Sequence, residues 1–459
     1  MAATAWTDGC NRDISMRKLA LLSGILCLGV GSGCSNWLSD PEATTNPNRP
    51  TVTTSDQLLV AVETAQTQQY TSDLARTVCV WMQQCAGTDR QYRSLGLYQY
   101  GEDAYNIVFG TIYTGGGLID IRTIEARADS AKDQVYGGIA RVLEAMTVGI
   151  ATDIWGDIPY SEAVSNTKTP KLDPQEQVYL GLQAKLDTAV TMLTAKTGAG
   201  PAGADLFYGG DATKWLRLAH TLKARYYLHV AERQGNAAYQ SALAEAQKGL
   251  QKGDDMRSYQ SEDPNEQNSW YQFITIQRSG YMSPGAMLVN LLQSRNDPRL
   301  AQYFDPNSAG QYVGAAPGQQ GSASISEFDG DRTGPAFRQP IVTAAENSLI
   351  IAESAFQLGQ TSLALSALNA ERTDAGLPSV GSTTLADIMT EKYIALFQNT
   401  EVWNDWKRTC LRALTPAQGS TGGIPERLLY AQSERNTNPN VPLPSAQPVR
   451  NWNDPVGCS

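Results

Sequence analysis

The chain has 459 residues, of which 41% are hydrophobic, and this apolar content excludes an intrinsically disordered protein. Its formal net charge is −10 and is spread along the chain. That charge argues against a nucleic-acid partner, because neutralising phosphates requires clustered Lys and Arg side chains.

Residues 1–33 are predicted to be an export signal. Met16 begins a basic tripeptide, and residues 19–30 form an apolar run that is too short to span a bilayer. Small residues then lead to Cys34, a pattern typical of bacterial signals cleaved before a lipid-modified cysteine, although Gly31 stands where Leu is usual. An ordinary secretory signal, cleaved at nearly the same point, is the alternative. We expect translation to begin at Met16.

A short tether is predicted to follow the signal. Residues 34–55 are polar, contain Pro and Thr, and show no periodicity, so they would link an anchor to a folded body. Residues 56–459 are then interpreted as one domain. No other long apolar run is present in the sequence, so a lipid on Cys34 is the predicted attachment to the membrane.

Apolar residues recur at helical spacing in several stretches of this domain. One stretch covers residues 135–150, and another begins after Asp211, a favourable N-cap. A partner helix follows at 236–250, and residues 344–358 form a second hairpin with residues 361–372. Helical pairs of this length, with small residues at the contact, are typical of tetratricopeptide-like repeats. The sequence therefore predicts a mainly α scaffold of helical hairpins.

The central stretch, residues 254–340, breaks the helical pattern. It is rich in Gly, Pro, Ser and Asn and carries scattered aromatic residues. We interpret it as long loops inserted into the scaffold, with short strands as an option. Loops of this length in a folded domain usually carry function.

Four cysteines remain after the signal and Cys34 are set aside, and an exported protein meets an oxidising compartment. They are Cys79, Cys85, Cys410 and Cys458. Three pairings are possible, and Cys79–Cys85 with Cys410–Cys458 closes the shortest loops. Four unpaired, buried cysteines are an equal alternative.

Histidine chemistry is poorly supported. His220 and His229 lie nine residues apart on one predicted helix, which places them on opposite faces and argues against a shared metal site. There is no GxSxG nucleophile turn and no phosphate-binding glycine loop. The sequence predicts no catalytic residue, no cofactor and no metal site. Two carboxylates a few ångströms apart would still suffice for a glycosidase, so a secreted glycoside hydrolase is the alternative function.

The stretch WGDIPYSEA, residues 155–163, invites a catalytic interpretation because it carries two carboxylates. It also follows a predicted helix, and Pro159 restricts Ile158 to an extended backbone. We therefore interpret Asp157 and Glu162 as parts of a rigid corner.

The chain resembles the SusD/RagB-like surface lipoproteins, which are nutrient-binding proteins of the outer membrane. WGDIPYSEA is similar to a stretch that follows a helix in one branch of that family. Further similar stretches occur in the same order: WMQQCAGTDRQYR, FYGGDATKWLRLAHTLKARYYLH, RNDPRLAQYF, AENSLIIAESAFQLG, LNAERTDAGLP, EKYIALFQNTEVWNDWKRT and IPERLLYAQSERNTNPN. The resemblance extends over nearly the whole of the predicted domain.

The resemblance implies a non-catalytic protein, anchored by lipid to the outer membrane and facing the cell exterior. It implies a partner, a TonB-dependent β-barrel transporter of the SusC type, which the protein caps. The ligands implied are oligosaccharides or peptides, delivered into the barrel without a cofactor. Sugars would bind through aromatic rings against their apolar faces and through hydrogen bonds at their hydroxyls.

Aromatic residues outside the helical stripes are the candidates for ligand binding. The adjacent rings of Trp270 and Tyr271, in the polar stretch EQNSWYQF, predict a stacking platform. The predicted ligand-binding residues are Trp81, Arg90, Tyr98, Trp270, Tyr271 and Tyr281, with Tyr92, Asn268, Gln272 and Phe328 as further candidates. By contrast, Trp215, Trp403 and Trp406 lie on helical stretches and are predicted to belong to the core.

Overall fold

Paired helices form the frame of the protein in the computed structural model, which describes residues 53–458. The predicted export signal, most of the tether and Cys34 lie outside the described residues. The helices are α1 (Ser55–Thr71), α2 (Asp73–Trp81), α3 (Arg90–Gly96), α4 (Asn106–Tyr113), α5 (Leu118–Ala131), α6 (Gln134–Trp155), α7 (Gln175–Ala195), α8 (Ala212–His229), α9 (Ala231–Gln234), α10 (Asn236–Ala246), α11 (Ser269–Tyr271), α12 (Ala286–Ser294), α13 (Leu300–Tyr303), α14 (Ala344–Gln357), α15 (Thr361–Asp374), α16 (Leu385–Ala395), α17 (Glu401–Thr409) and α18 (Gln432–Thr437). The predicted mainly α fold is confirmed.

Successive helices pack as hairpins around α6. Helices α5 and α7 both pack on α6, α8 packs on α7, and α10 packs on α8. Farther along the chain, α14 contacts α10, α15 and α16. Helix α8 begins where predicted, because the Asp211 carboxylate accepts the backbone N–H groups of Thr213 at 2.8 Å and Lys214 at 3.2 Å. The tryptophans assigned to helical stripes, Trp215, Trp403 and Trp406, are buried as predicted.

Three two-stranded antiparallel pairs lie outside the helical frame. Their strands are β1 (Cys85–Gly87), β2 (Met256–Arg257), β3 (Met282–Pro284), β4 (Phe304–Asp305), β5 (Glu327–Phe328) and β6 (Pro340–Val342). Strand β1 pairs with β3, β2 with β6, and β4 with β5. Each pair therefore ties part of the central stretch to another segment or closes it on itself.

The central stretch is more helical than expected. Besides the predicted short strands it contains α11, α12, α13 and a π-helical turn at Gln272–Gln277. The elements between residues 254 and 340 are at most nine residues long. Such short elements hold too few turns for a periodic apolar stripe to reveal them.

Both disulfides close the shortest available loops. Cys79 bonds to Cys85 at the end of α2, and Cys410 bonds to Cys458 across 48 residues. The structure thus selects one of the alternatives left open by the sequence. Among residues 53–458, no helix has both the length and the hydropathy that crossing a membrane requires.

Candidate functional site

The WGDIPYSEA segment forms a turn between α6 and α7. Gly156 ends α6 with a φ of 73°, which favours glycine. The Asp157 carboxylate accepts the backbone N–H of Gln175 at 2.8 Å, and the Glu162 carboxylate accepts that of Lys171 at 3.1 Å. Both carboxylates thus bind backbone across the turn, as the corner interpretation expects.

Two of the predicted ligand-binding rings lie in the core. Trp81 and Trp270 are both 0% exposed. The Trp81 indole donates to the Leu95 carbonyl at 3.0 Å, and its ring packs edge-on against Trp403 at 5.4 Å. Neither ring offers a face to a ligand in solution, so the predicted platform of Trp270 and Tyr271 is not formed. The further candidates Tyr92, Asn268 and Phe328 are buried as well.

A helical turn explains why Trp270 faces inward. The Asn268 side chain accepts the backbone N–H groups of Trp270 at 2.7 Å and Tyr271 at 3.3 Å, and so caps α11. Consecutive residues on a helix point about 100° apart. The Trp270 ring therefore packs edge-on against Phe328 at 6.3 Å, while Tyr271 stays half-buried at the surface.

Four chain segments meet in one surface region, which we call the Tyr281 face. Its segments are residues 88–98, 271–283, 316–321 and 415–419. The Tyr281 carbonyl accepts the backbone N–H of Thr88 at 2.9 Å, and the Thr88 carbonyl accepts that of Gly321 at 3.1 Å. The backbone N–H of Ala417 donates to the Tyr98 hydroxyl at 3.0 Å. Of the predicted set, Arg90 and Tyr281 therefore lie side by side, whereas Tyr98 contacts the segment 415–419.

The Tyr281 ring lies close to two cations. The guanidinium carbons of Arg90 and Arg278 are each 5.8 Å from its centroid, within cation–π range. The ring is half-buried and supported edge-on by Phe273, at 6.3 Å and 85°. The Arg90 side chain is 71% exposed. An aromatic ring flanked by guanidinium donors at the surface can stack against an apolar face and donate hydrogen bonds around it.

The backbone of this face carries unusual conformations. Arg90 and Tyr98 have positive φ values, 44° and 63°, which non-glycine residues adopt only when the surrounding structure imposes them. Burial raises the pKa of Tyr98, so its hydroxyl stays protonated. The π-helical turn Gln272–Gln277 borders the same face and leaves Ile276 58% exposed. Such π-turns occur frequently at functional sites.

Sequence reasoning missed Arg278 and Ile276. Arg278 stands three residues before Tyr281, in a stretch with no periodicity to suggest that the two side chains meet. Ile276 has no aromatic ring and was not considered. The π-turn that positions both residues leaves no recognisable pattern in six residues.

Another cluster resembles a metal site but is built as an ion-pair network. Ligand atoms of Asp153, His229 and Glu401 lie within 4.8 Å of one another. However, His229 Nδ1 is 2.9 Å from Asp153 Oδ1, and Nε2 is 2.6 Å from Glu401 Oε1. Burial alone would lower the pKa of His229, but the two carboxylates outweigh it and raise the pKa to about 10. This shift favours the imidazolium form, which pairs with both carboxylates.

Comparison with a family profile decides the affiliation of the chain. The profile of the SusD-like family, described as starch-binding and associating with the outer membrane, matches residues 47–431. The chain belongs to the SusD-like family. This membership agrees with the resemblance drawn from the short stretches, which span the same region. No curated protein matches the chain.

Solved structures of SusD-like proteins share the fold. A SusD/RagB family protein from Bacteroides thetaiotaomicron superposes with a TM-score of 0.73 at 22% identity, covering 88% of this chain and 98% of that one. A chitin-binding SusD homologue from Flavobacterium johnsoniae gives 0.74 at 20% identity, covering 86% and 98%. A further structure, a chitin-binding protein, gives 0.74 at 21% identity, covering 87% and 100%.

Proposed function

We propose that this SusD-like protein is a non-catalytic glycan-binding protein of the cell surface. In this proposal a lipid on Cys34 holds it to the outer membrane, and it passes captured oligosaccharides to a TonB-dependent β-barrel transporter. The observation that carries the proposal is the half-buried Tyr281 ring, which lies close to the guanidinium groups of Arg90 and Arg278. Family membership supports the association with starch and with the outer membrane.

The chemistry of the Tyr281 face suits a sugar. The apolar face of a pyranose packs against an aromatic ring, while its hydroxyls accept hydrogen bonds from guanidinium groups. Exposed Ile276 on the neighbouring π-turn adds apolar area for the same ligand. Peptides are the second ligand class under test, since the same ring and cations would also bind an extended chain.

Binding of defined oligosaccharides tests the ligand part of the proposal. Maltoheptaose represents the starch of the family description, and a chitin hexasaccharide represents the ligand named for two of the structural relatives. We expect one of them to bind the purified full chain in calorimetric titrations. Tyr281→Ala should weaken that binding at least tenfold, because stacking on the ring is lost. A peptide pool is titrated in parallel.

Tyr259→Ala provides the matched control. Tyr259 is 41% exposed and lies outside the four segments of the Tyr281 face, so its loss should leave the affinity unchanged. Equal losses of affinity in Tyr281→Ala and Tyr259→Ala would show that the glycan does not bind at the Tyr281 face. Absence of binding to every glycan would contradict the proposal, and binding to peptides alone would change the ligand class.

Transporter delivery has a separate test. The tagged, lipidated chain expressed in its native host should co-purify with a large β-barrel protein, and mass spectrometry would identify that protein. Isolation without any barrel, from membranes that do import the glycan, would contradict the partnership while leaving glycan binding intact.

A further inference from the structure

A cavity lies against the corner, beside the turn that ends α6. Its volume is about 510 Å³, within the range of small-ligand sites. The wall is formed by the corner and by the C-terminal segment, and it shares no residue with the Tyr281 face. We call it the corner pocket. Its polar lining residues are Asp157, Arg233, Arg427, Arg450, Asn451 and Asp454.

Three arginines in this wall lack a carboxylate partner. Across residues 53–458, neither Arg233, Arg427 nor Arg450 has a carboxylate oxygen within 4.0 Å. Arg427 is 5% exposed and donates to neutral acceptors, the Trp155 carbonyl at 2.6 Å and the Gln447 side chain at 3.3 Å. Burial accordingly lowers the pKa of Arg427. Unneutralised guanidinium groups at a cavity wall favour an anionic ligand.

Glu426 lies near Arg450, because a Cβ atom on Gly457 would lie 2.2 Å from Arg450 Nη1 and 3.5 Å from Glu426 Oε1. The carboxylates that line the pocket itself are Asp157 and Asp454. Asp454 is paired with Lys407, whose ammonium nitrogen lies 3.4 Å from its carboxylate. Asp157 is left as the one lining carboxylate without such a cation, and its oxygen accepts the backbone N–H of Gln175. The wall of the corner pocket therefore contains three guanidinium groups and one carboxylate, Asp157, that has no ion pair within 4.0 Å among residues 53–458, although Asp157 interacts electrostatically with Arg427.

The same wall contains buried acceptors without donors. Within the described part of the chain, Asn451 Oδ1 and both carboxylate oxygens of Asp454 accept no well-directed hydrogen bond, although the Lys407 ammonium lies 3.4 Å from one oxygen of Asp454. These residues are 4% and 1% exposed. A buried acceptor left unpaired costs about 1–3 kcal/mol, so each requires an explanation. Hydroxyl groups of a ligand are donors that would satisfy them.

Gly156 leaves open the space beside the Asn451 side-chain oxygen and the Arg427 guanidinium. A Cβ atom at this position would lie 2.9 Å from Asn451 Oδ1 and 3.6 Å from Arg427 Nε, so both atoms border one point above the glycine. The half-buried Trp452 adds an aromatic surface, held by Arg233, whose Nε donates to the Trp452 carbonyl at 2.7 Å. Acceptors, cations and a ring thus line one cavity.

We propose that the corner pocket binds an acidic sugar, a small ligand with one carboxylate and several hydroxyls. The carboxylate pairs with Arg233 and Arg450 at the mouth, where the guanidinium fork matches its geometry. The hydroxyls donate to Asn451 and Asp454, and the sugar ring packs against Trp452. This proposal is independent of glycan capture at the Tyr281 face.

Calorimetric titration of the purified full chain with D-glucuronate tests the proposal, with D-glucose as the neutral match. We expect glucuronate to bind at least tenfold more tightly than glucose. Arg450→Gln should abolish that preference, since it removes a cation. It leaves intact the hydrogen bonds that Arg427 donates to the Trp155 carbonyl and the Gln447 side chain. Arg233→Gln is the second variant. Lys252→Gln, which removes an exposed cation outside both the corner pocket and the Tyr281 face, is the control that should retain full binding. Circular dichroism confirms that each variant is folded.

Three outcomes would overturn the proposal. Equal binding of glucose and glucuronate would show that the arginines do not select the ligand. Sulfate binding as tightly as glucuronate would show that the hydroxyl contacts contribute nothing. Absence of glucuronate binding in a folded wild-type protein would show that the corner pocket does not bind an acidic sugar. An oligogalacturonide, titrated in the same way, then distinguishes a free acidic sugar from the end of an acidic chain.

Discussion

His229 carries a buried charge that contributes to the stability of the folded protein. Its imidazolium joins Asp153 on α6 to Glu401 on α17, and it is 1% exposed. Tyr179 and Arg225 complete its charged surroundings, with the Tyr179 hydroxyl donating to Asp153 at 2.5 Å and Arg225 Nε lying 3.7 Å from Glu401. The polar contacts that join α6, α7, α8 and α17 at this point thus depend on the proton that makes His229 a cation.

We predict that stability falls as the pH rises through the alkaline range because of this proton. The pKa of His229 is raised to about 10 in the folded protein, above about 6.5 in the unfolded chain. Its contribution is therefore complete below about pH 6.5 and is lost progressively as the pH approaches 10. Urea unfolding between pH 6 and 9.5 measures the decline.

The two histidines of the chain supply their own control. His229→Gln should lose about 3–5 kcal/mol, because two carboxylates remain buried without their cation, and its stability should depend less on pH in this window. His220→Gln, which removes a pair with Glu245 outside this network, is the matched histidine substitution. An unchanged profile in folded His229→Gln would refute the assignment.

The burial of aromatic side chains was predictable from the sequence for some residues and not for others. Trp215 could be assigned to the core because it lies on a long periodic stripe. Trp270 could not be assigned, because the direction of its side chain depends on a three-residue helix capped by Asn268. A helix this short shows no periodic apolar pattern in the sequence. Arg90 and Tyr281 were predicted to bind the ligand and remain candidates, but the proximity of both to Arg278 was not foreseeable.

At the scale of elements, a glycine allows α6 and α8 to approach each other. A Cβ atom on Gly149 would lie 2.0 Å from the Tyr226 hydroxyl oxygen, and that hydroxyl donates to the Ala145 carbonyl at 2.9 Å. Gly149→Ala should therefore destabilise the protein by about 1–3 kcal/mol through overpacking. The measurement is the midpoint of urea unfolding.

Gly110 on α4 provides the opposite case for the same substitution. A Cβ atom there meets nothing within 4 Å, and its φ is not positive. Gly110→Ala should stabilise the protein by about 0.5–1 kcal/mol, since alanine loses less backbone entropy in a helix. Shifts of the same sign in both variants would show that close packing at Gly149 is not the cause.

Long elements were predictable, and the short ones between them were not. Helices α6, α8, α14 and α15 carry stripes that local spacing reveals, and all four are present. The strands of the central stretch owe their existence to partners distant in sequence, such as β1 pairing with β3 almost 200 residues later. Pairing over such distances leaves no local periodic pattern.

For the molecule as a whole, we predict that Cys34 determines where the protein resides. Cys34→Ser should abolish incorporation of labelled fatty acid and release the protein from the outer-membrane fraction, because the predicted lipid would have no attachment point. Cys27→Ser, within the predicted leader, should leave both unchanged. Labelled Cys34→Ser protein that remains in the membrane would contradict the lipoprotein assignment.

Local patterns in the sequence were enough to determine the helical hairpins, the family resemblance and the corner, because each depends on residues close together in the chain. Tertiary structure alone decided the Tyr281 face, the network around His229 and the corner pocket. Each of these joins segments separated by many tens or hundreds of residues, as in the bond between Ala417 and Tyr98. Burial and charge pairing at such contacts depend on how the helices pack, and no single segment encodes that packing.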